Sequence, residues 1–167
     1  MTDEEHVFLI DANVLITAHR SYYAFDICPG FWEAVKSGHA EGRIFSIQHI
    51  KVELEKGKDA LTDWINKELP QEFFINDSSA AIAKEFGPMM EWVKAGNFHP
   101  SAMAKFATDA DGWLVAAAKQ TGHYLVTHET RKPEAKASVP MPNLCDEFGV
   151  RYCNSFDMLR FLGRSFA

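Results

Sequence analysis

The chain has 167 residues, 47% of them hydrophobic and 24% charged, which are ordinary values for a soluble globular protein and enough for one core, so residues 1–167 read as a single domain. The formal net charge of −6 argues against the basic footprint usual in nucleic-acid binders, although a site built of carboxylates is acidic by construction and a bound divalent ion reverses its local sign. Cys28, Cys145 and Cys153 are odd in number and lack CxxC spacing, so neither a disulfide framework nor a zinc site is expected, and a reducing cytoplasm is the natural compartment. The start, Met1-Thr-Asp-Glu-Glu5, is acidic where a signal peptide would be basic, and no apolar run is long enough to span a membrane.

The elements alternate. Val7–Asp11 reads as a buried strand ending on an acid, and helical character follows from Asn13 to about Tyr23. Pro29 to Lys36 has proline in its first turn and is expected to end near Gly38. Arg43–Ile47 is a short strand, Gln48–Lys56 a helix stopped by Gly57, and Asp59 the cap of a helix to Glu68. After the strand Phe73–Ile75, Asn76-Asp-Ser-Ser79 caps a long helical stretch from Ala80 to Lys94, with an interruption expected at Gly87-Pro88.

Pro100–Phe106 is a short helix leading to Thr108. Thr108-Asp-Ala-Asp111 has the form of a capping box, opening a helix that Gly122 ends. His123–Thr127 is a strand stopping just before Glu129. Arg131–Pro142, rich in lysine and proline, is the candidate mobile loop. Asn143–Phe148 is helical, Val150–Cys153 a last strand, and Ser155 the expected cap of a terminal helix. Strands alternating with helices predict an α/β fold, a three-layer α/β/α sandwich with a central parallel β-sheet.

In such a sheet, acids at the ends of distant strands converge. Four stand out: Asp11, Glu53, Asp111 and Glu129. Hard cations such as Mg²⁺ or Mn²⁺ favour oxygen ligands, and carboxylates from separate elements supply them while leaving room for a phosphate oxygen and an attacking water. Asn13 and Thr127 stand two residues from Asp11 and Glu129, where they could orient a water or a carboxylate, and Asp109 competes with Asp111 for the third place. Each acid also has a plain alternative: a helix cap for Asp11, a solvated helix face for Glu53, half of a capping box for Asp111, a loop acid for Glu129. Lys51, Arg131 and Lys132, near these acids, are possible phosphate contacts. His128 is expected to point away from Glu129, and Trp32, Trp64, Trp92 and Trp113 to pack. There is no P-loop, GxGxxG, HExxH or GxSxG, and Asn13 stands where a haloacid-dehalogenase-type phosphatase needs a second aspartate.

The order FLIDANVLI, then Ile47–Gly57 with its glutamate, then DGWLVAAAKQTGHYLVTHE, resembles the PIN domain nucleases over nearly the whole chain, and the tail VPMPNLCDEFGVRYCNSFDMLRFL resembles a bacterial PIN-like subgroup akin to VapC-type toxins. The resemblance implies a PIN-like topology, metal ligands at Asp11, Glu53, Asp111 and Glu129, and endoribonuclease activity as the toxin of a toxin–antitoxin pair. It further implies an RNA substrate, an antitoxin protein partner and a homodimer. Two departures stand out: Glu129 occupies a place where aspartate is usual, and the segment Ala80–Phe106 is longer than in compact toxins. The rival reading is a catalytically inactive PIN-like module that binds protein or RNA.

Overall fold

The structure, a computed structural model, describes residues 6–166; the acidic start read above lies outside them. Five strands, β1 (Phe8–Ile10), β2 (Ile44–Ile47), β3 (Phe74–Ile75), β4 (Tyr124–Val126) and β5 (Tyr152–Cys153), pair all-parallel in the order β3-β2-β1-β4-β5. Phe8 stands beside Ile44 and Tyr124, and Leu9 beside Phe45 and Leu125. Every residue of β1 is buried, as expected for the central strand of a sheet covered on both faces.

Helices α1 (Ala12–Arg20) and α2 (Pro29–Ala40) connect β1 to β2; α3 (Gln48–Glu55) and α4 (Ala60–Glu68) connect β2 to β3. The long crossover from β3 to β4 carries α5 (Ala80–Ala95), α6 (Pro100–Thr108) and α7 (Ala110–Thr121), and α8 (Met141–Phe148) and α9 (Ser155–Phe161) flank β5. Phe161 of α9 lies against Phe8 and Tyr124, while α7 packs against both α5 and α8. The architecture is therefore α/β/α with a parallel sheet, as the alternation of elements predicts. The chain leaves β1 toward one sheet edge and returns across it to β4, so the switch in winding direction falls between β1 and β4. The carboxyl ends of those two strands are where such folds open a crevice.

Three local expectations fail, each for a physical reason. The end of α2 is not among them: it falls at Ala40, near Gly38 as expected, with Gly38 itself inside the helix as a contact point, where a Cβ would stand 2.4 Å from Ile44 Cδ1 in the core. Gly87-Pro88 does not interrupt α5, because Ile82, Met89 and Val93 are buried along it and packing outweighs the lost backbone bond. Ser155 is the first residue of α9, and the cap is Asn154, whose side chain accepts from the Asp157 N–H. The capping box does not form either: Thr108 Oγ1 donates back to the carbonyls of Ala104 and Lys105, closing α6, and no side chain caps α7. Asp111 is thereby relieved of a capping duty.

No helix among the described residues is long and apolar enough to cross a membrane. The loop from Arg131 to Pro140 has no regular structure, and it is tied down where the His99 N–H donates to the Lys136 carbonyl and where Asn143 bonds both backbone groups of Lys132.

Candidate active site

Asp11 follows β1 directly and is 1% exposed. Its position is held by the Asp11 N–H donating to the Val126 carbonyl at 3.0 Å and, one residue back, by buried Ser46, whose Oγ donates to the Ile10 carbonyl at 2.7 Å. Thr127 Oγ1, at the end of β4, donates to Asp11 Oδ2 at 3.3 Å and accepts from the Glu129 N–H at 3.1 Å. Thr127 thus ties the Asp11 carboxylate to the Glu129 backbone; the carboxylate it holds is that of Asp11, where its place two residues before Glu129 pointed to Glu129. Asp11 Oδ1 is buried and has no hydrogen-bond partner. Buried carboxylate oxygens are nearly always satisfied, so an orphan on this edge calls for an explanation.

Electrostatics single out the same place. Burial, then the charges of Asp111, Glu129 and Glu53, push the Asp11 carboxyl well above its ordinary range; the Asn13 backbone amide pulls the other way. Asp111 is pushed up to about 7, again by burial first, then by Glu129, Glu53 and Asp109. Glu53 and Glu129 are raised by burial as well, Glu53 further by Asp109. All four sequence-named acids therefore share one field.

They do not share one hollow. Asp111, Glu129, Asn13 and Asp109 line a cavity of about 200 Å³ together with Phe106 and Val139. Glu53 lines an adjoining cleft of about 580 Å³, and Asp109 stands on the rim common to both. Glu129 Oε1 accepts from the Met141 N–H at the start of α8 (3.3 Å), which turns the longer side chain away from free rotation. Among the described residues, no three His, Cys, Asp or Glu side chains stand close enough to form a ready-made metal cage. Asp11 lines neither hollow; the other three acids act on its buried carboxyl through space.

The lysine and arginine candidates are scattered differently. Lys51 pairs with Glu55 at 3.7 Å and lies near the Phe74 ring, lining neither acidic hollow. Arg131 pairs with Asp146 at 3.5 Å in a separate hollow beside Trp92 and Phe98. Lys132 lowers the Glu129 carboxyl by its charge. The residue the sequence reading missed is Lys105. It lines the acid cavity, pairs with Asp109 at 3.7 Å, and its charge lowers Asp111, Glu129 and Glu53 together. Its signal was the helical spacing to Asp109, four residues on, seen only once α6 is known to run through to Thr108.

A family model described as a domain of unknown function, DUF4411, matches residues 8–166. The chain belongs to the DUF4411 family. No curated protein and no solved structure matches it. What the DUF4411 chain does must therefore come from its own geometry.

That geometry disfavours thiol chemistry. Burial pushes the Cys145 and Cys153 thiols up to about 12, so neither is a ready nucleophile. His128 points away from Glu129, as expected, with Nε2 beside Ser155 Oγ at 2.8 Å and Tyr22 Oη at 3.3 Å. Gly112 is the spacer that seats Asp111: a Cβ there would stand 2.7 Å from Phe106 Cζ and 2.8 Å from Phe86 Cε2. Gly112→Ala is expected to destabilise by ~1–3 kcal/mol through overpacking, which lowers Tm by about 2–4 °C per kcal/mol in a chain of this size. Thermal melting checks it, and an unchanged Tm would show slack between the two rings.

Proposed function

We propose that this DUF4411 domain is a Mg²⁺- or Mn²⁺-dependent phosphodiester hydrolase acting on RNA. The observation that supports it most is the orphaned Asp11 Oδ1, buried and surrounded by the fields of three other carboxylates. Gathered acids destabilise a fold when left alone and become favourable when a cation occupies the space between them. The donor set fits a hard divalent ion, being all oxygen and anionic, with no thiolate or imidazole among the four acids.

Asp11, Asp111 and Glu129 would hold the ion. Bound there, it supplies Lewis-acid polarisation of a phosphodiester oxygen and neutralises charge that builds up there. The chain's own residues do the remainder. Thr127 Oγ1 anchors Asp11 Oδ2, and the buried Oδ1 carries no hydrogen bond that an ion would have to displace. The Met141 N–H holds Glu129 Oε1 in place, so the glutamate at this position reaches the site as a tethered carboxylate. Glu53, half-buried in the adjoining cleft, positions the attacking water through its carboxylate, and no covalent enzyme intermediate is required. Lys105, with 74% of its side chain exposed at the cavity, contacts a substrate phosphate.

The narrower assignment, an endoribonuclease toxin of the PIN type that is restrained by an antitoxin protein and works as a cytoplasmic homodimer, is supported by the sequence resemblance alone. A non-catalytic binding module is the second reading; the lack of a ready-made metal cage among the described residues favours it. Titrating Mn²⁺ and Mg²⁺ into wild-type chain and Asp11→Asn with a mixed structured RNA separates them. Metal-dependent cleavage by the wild type alone supports the hydrolase; metal-independent behaviour of a folded wild type supports the module. Lys105→Met is expected to raise KM for RNA about three- to tenfold with a smaller change in kcat, measured in steady state at fixed salt.

A further inference from the structure

The cleft beside the acid cavity contains a second built feature that metal-dependent hydrolysis leaves unused. Asp77 follows β3 and is 1% exposed, so it stands on the same carboxyl edge as Asp11 and Glu129. Its Oδ2 accepts from the His49 backbone N–H at 3.3 Å and meets the His49 ring at Nδ1 at 2.5 Å. A carboxylate only accepts, so in the neutral ring the proton sits on Nδ1 and Nε2 is left as an acceptor.

One face of that ring is also fixed. His49 stacks on Trp113 with centroids 5.2 Å apart and planes within 8°, and Trp113 stacks on Phe86 at 4.2 Å and 3°. With Nδ1 engaged and one face covered, the Nε2 edge and the other face remain. His49 lines the cleft with 38% of its side chain exposed. Around it stand Val52, an apolar side chain on a residue 58% exposed, with Gln48, Ser78 and Lys56, and the acids Glu53 and Asp109. The uncovered His49 face and exposed Val52, with polar side chains and a cation nearby, match a nucleoside, which has flat apolar faces, polar edges and an attached phosphate.

We propose that this cleft is a nucleoside subsite of the active site, in which His49 Nε2 accepts a hydrogen bond from the nucleotide flanking the cleaved phosphodiester and Asp77 acts as the positioning residue for the ring. The subsite rests on the hydrolase reading above. Asp109 lines both, so the cleft adjoins the acid cavity. The donor is a ribose 2′-hydroxyl or a base N–H, both of which an unpaired RNA strand offers.

Two substitutions divide the ring's duties. His49→Asn keeps a donor toward Asp77 and loses the acceptor in the cleft; His49→Gln places an amide oxygen near the position of Nε2. The full chain and these variants are assayed in saturating Mn²⁺ on a single-stranded RNA oligonucleotide and on the same strand with 2′-deoxy substitutions. His49→Asn is expected to raise KM about tenfold, the worth of one lost hydrogen bond in a site, with kcat and Tm little changed and with His49→Gln recovering part of the loss. Asp77→Asn is expected to follow His49→Asn in KM. If the deoxy strand weakens wild type and leaves His49→Asn indifferent, the donor is the sugar hydroxyl; equal weakening on both strands places it on the base. A wild type that cleaves while His49→Asn keeps its KM overturns the subsite alone. A folded wild type that neither binds nor cleaves RNA overturns the hydrolase reading, and the subsite with it.

Discussion

Asp11→Asn is expected to abolish metal-dependent cleavage, by at least about a hundredfold, the scale on which removal of one preorganised charge-stabilising group acts, and to make the metal-free protein more stable at pH 8. The two effects have one cause. Asp11 Oδ1 has no partner, and Asp111, Glu129 and Glu53 all oppose its ionisation. An asparagine keeps an oxygen for Thr127 Oγ1 and turns an N–H₂ toward the neighbouring acids, removing a buried charge and adding a donor. The gain is on the order of 1–3 kcal/mol. The sign with pH follows from the raised folded-state pKa: stability from this group is fully present below the ordinary aspartate range and is lost as pH rises through the folded value. The Tm advantage of Asp11→Asn over wild type should therefore be large at pH 8 and small near pH 4.5. Melting curves in EDTA at both pH values check it, and a variant less stable than wild type at pH 8 would mean the orphaned oxygen is satisfied in solution.

The second large effect is a metal-dependent stability that grows with pH. In metal-free protein Asp111 is pushed up to about 7 from an ordinary 3.8, so its ionisation erodes the fold between those values, by at most about 4 kcal/mol. A divalent cation binds the ionised acids and reverses that loss. Binding at a hundred times Kd adds ~2.7 kcal/mol, and it requires the carboxylates to be deprotonated. Saturating Mn²⁺ is thus expected to raise Tm by several degrees at pH 8 and by little at pH 5, while Asp111→Asn lessens the metal-free pH dependence, leaving the part due to Asp11, and weakens the metal response. Differential scanning across pH 5–8, with EDTA or Mn²⁺, reads all of this. A Tm indifferent to Mn²⁺ at pH 8 would remove the metal from this site.

The strands and the acids at their ends were legible because short apolar runs bounded by polar residues mean the same thing almost wherever they stand in a parallel sheet. Phe8–Ile10 ends at Asp11 and Tyr124–Val126 ends at Thr127, as the run lengths require. The reach of the helices was less legible. Gly38 and Pro88 are breakers by propensity, yet α2 and α5 continue through them because contacts with Ile44 and α7 come from residues remote in the chain.

Asp111 does not take up the capping duty that its place in Thr108-Asp-Ala-Asp111 offered. The capping box is a local pattern, and the thriftier local bond for Thr108 runs back to α6. By itself, then, the sequence determined the alternation that makes an α/β/α sandwich, with Asp11 at the end of β1, Asp111 in the first turn of α7, Glu129 just beyond β4 and Glu53 on α3. Only the tertiary structure decided which charges face one another: Lys105 joined the acids and Lys51 left them, Glu53 and Asp111 fell in adjoining hollows, and Asp77 came to hold His49 from another strand. The reason is one of range. Propensity and periodicity act over a few residues, whereas burial and Coulomb fields act through space between segments tens of residues apart.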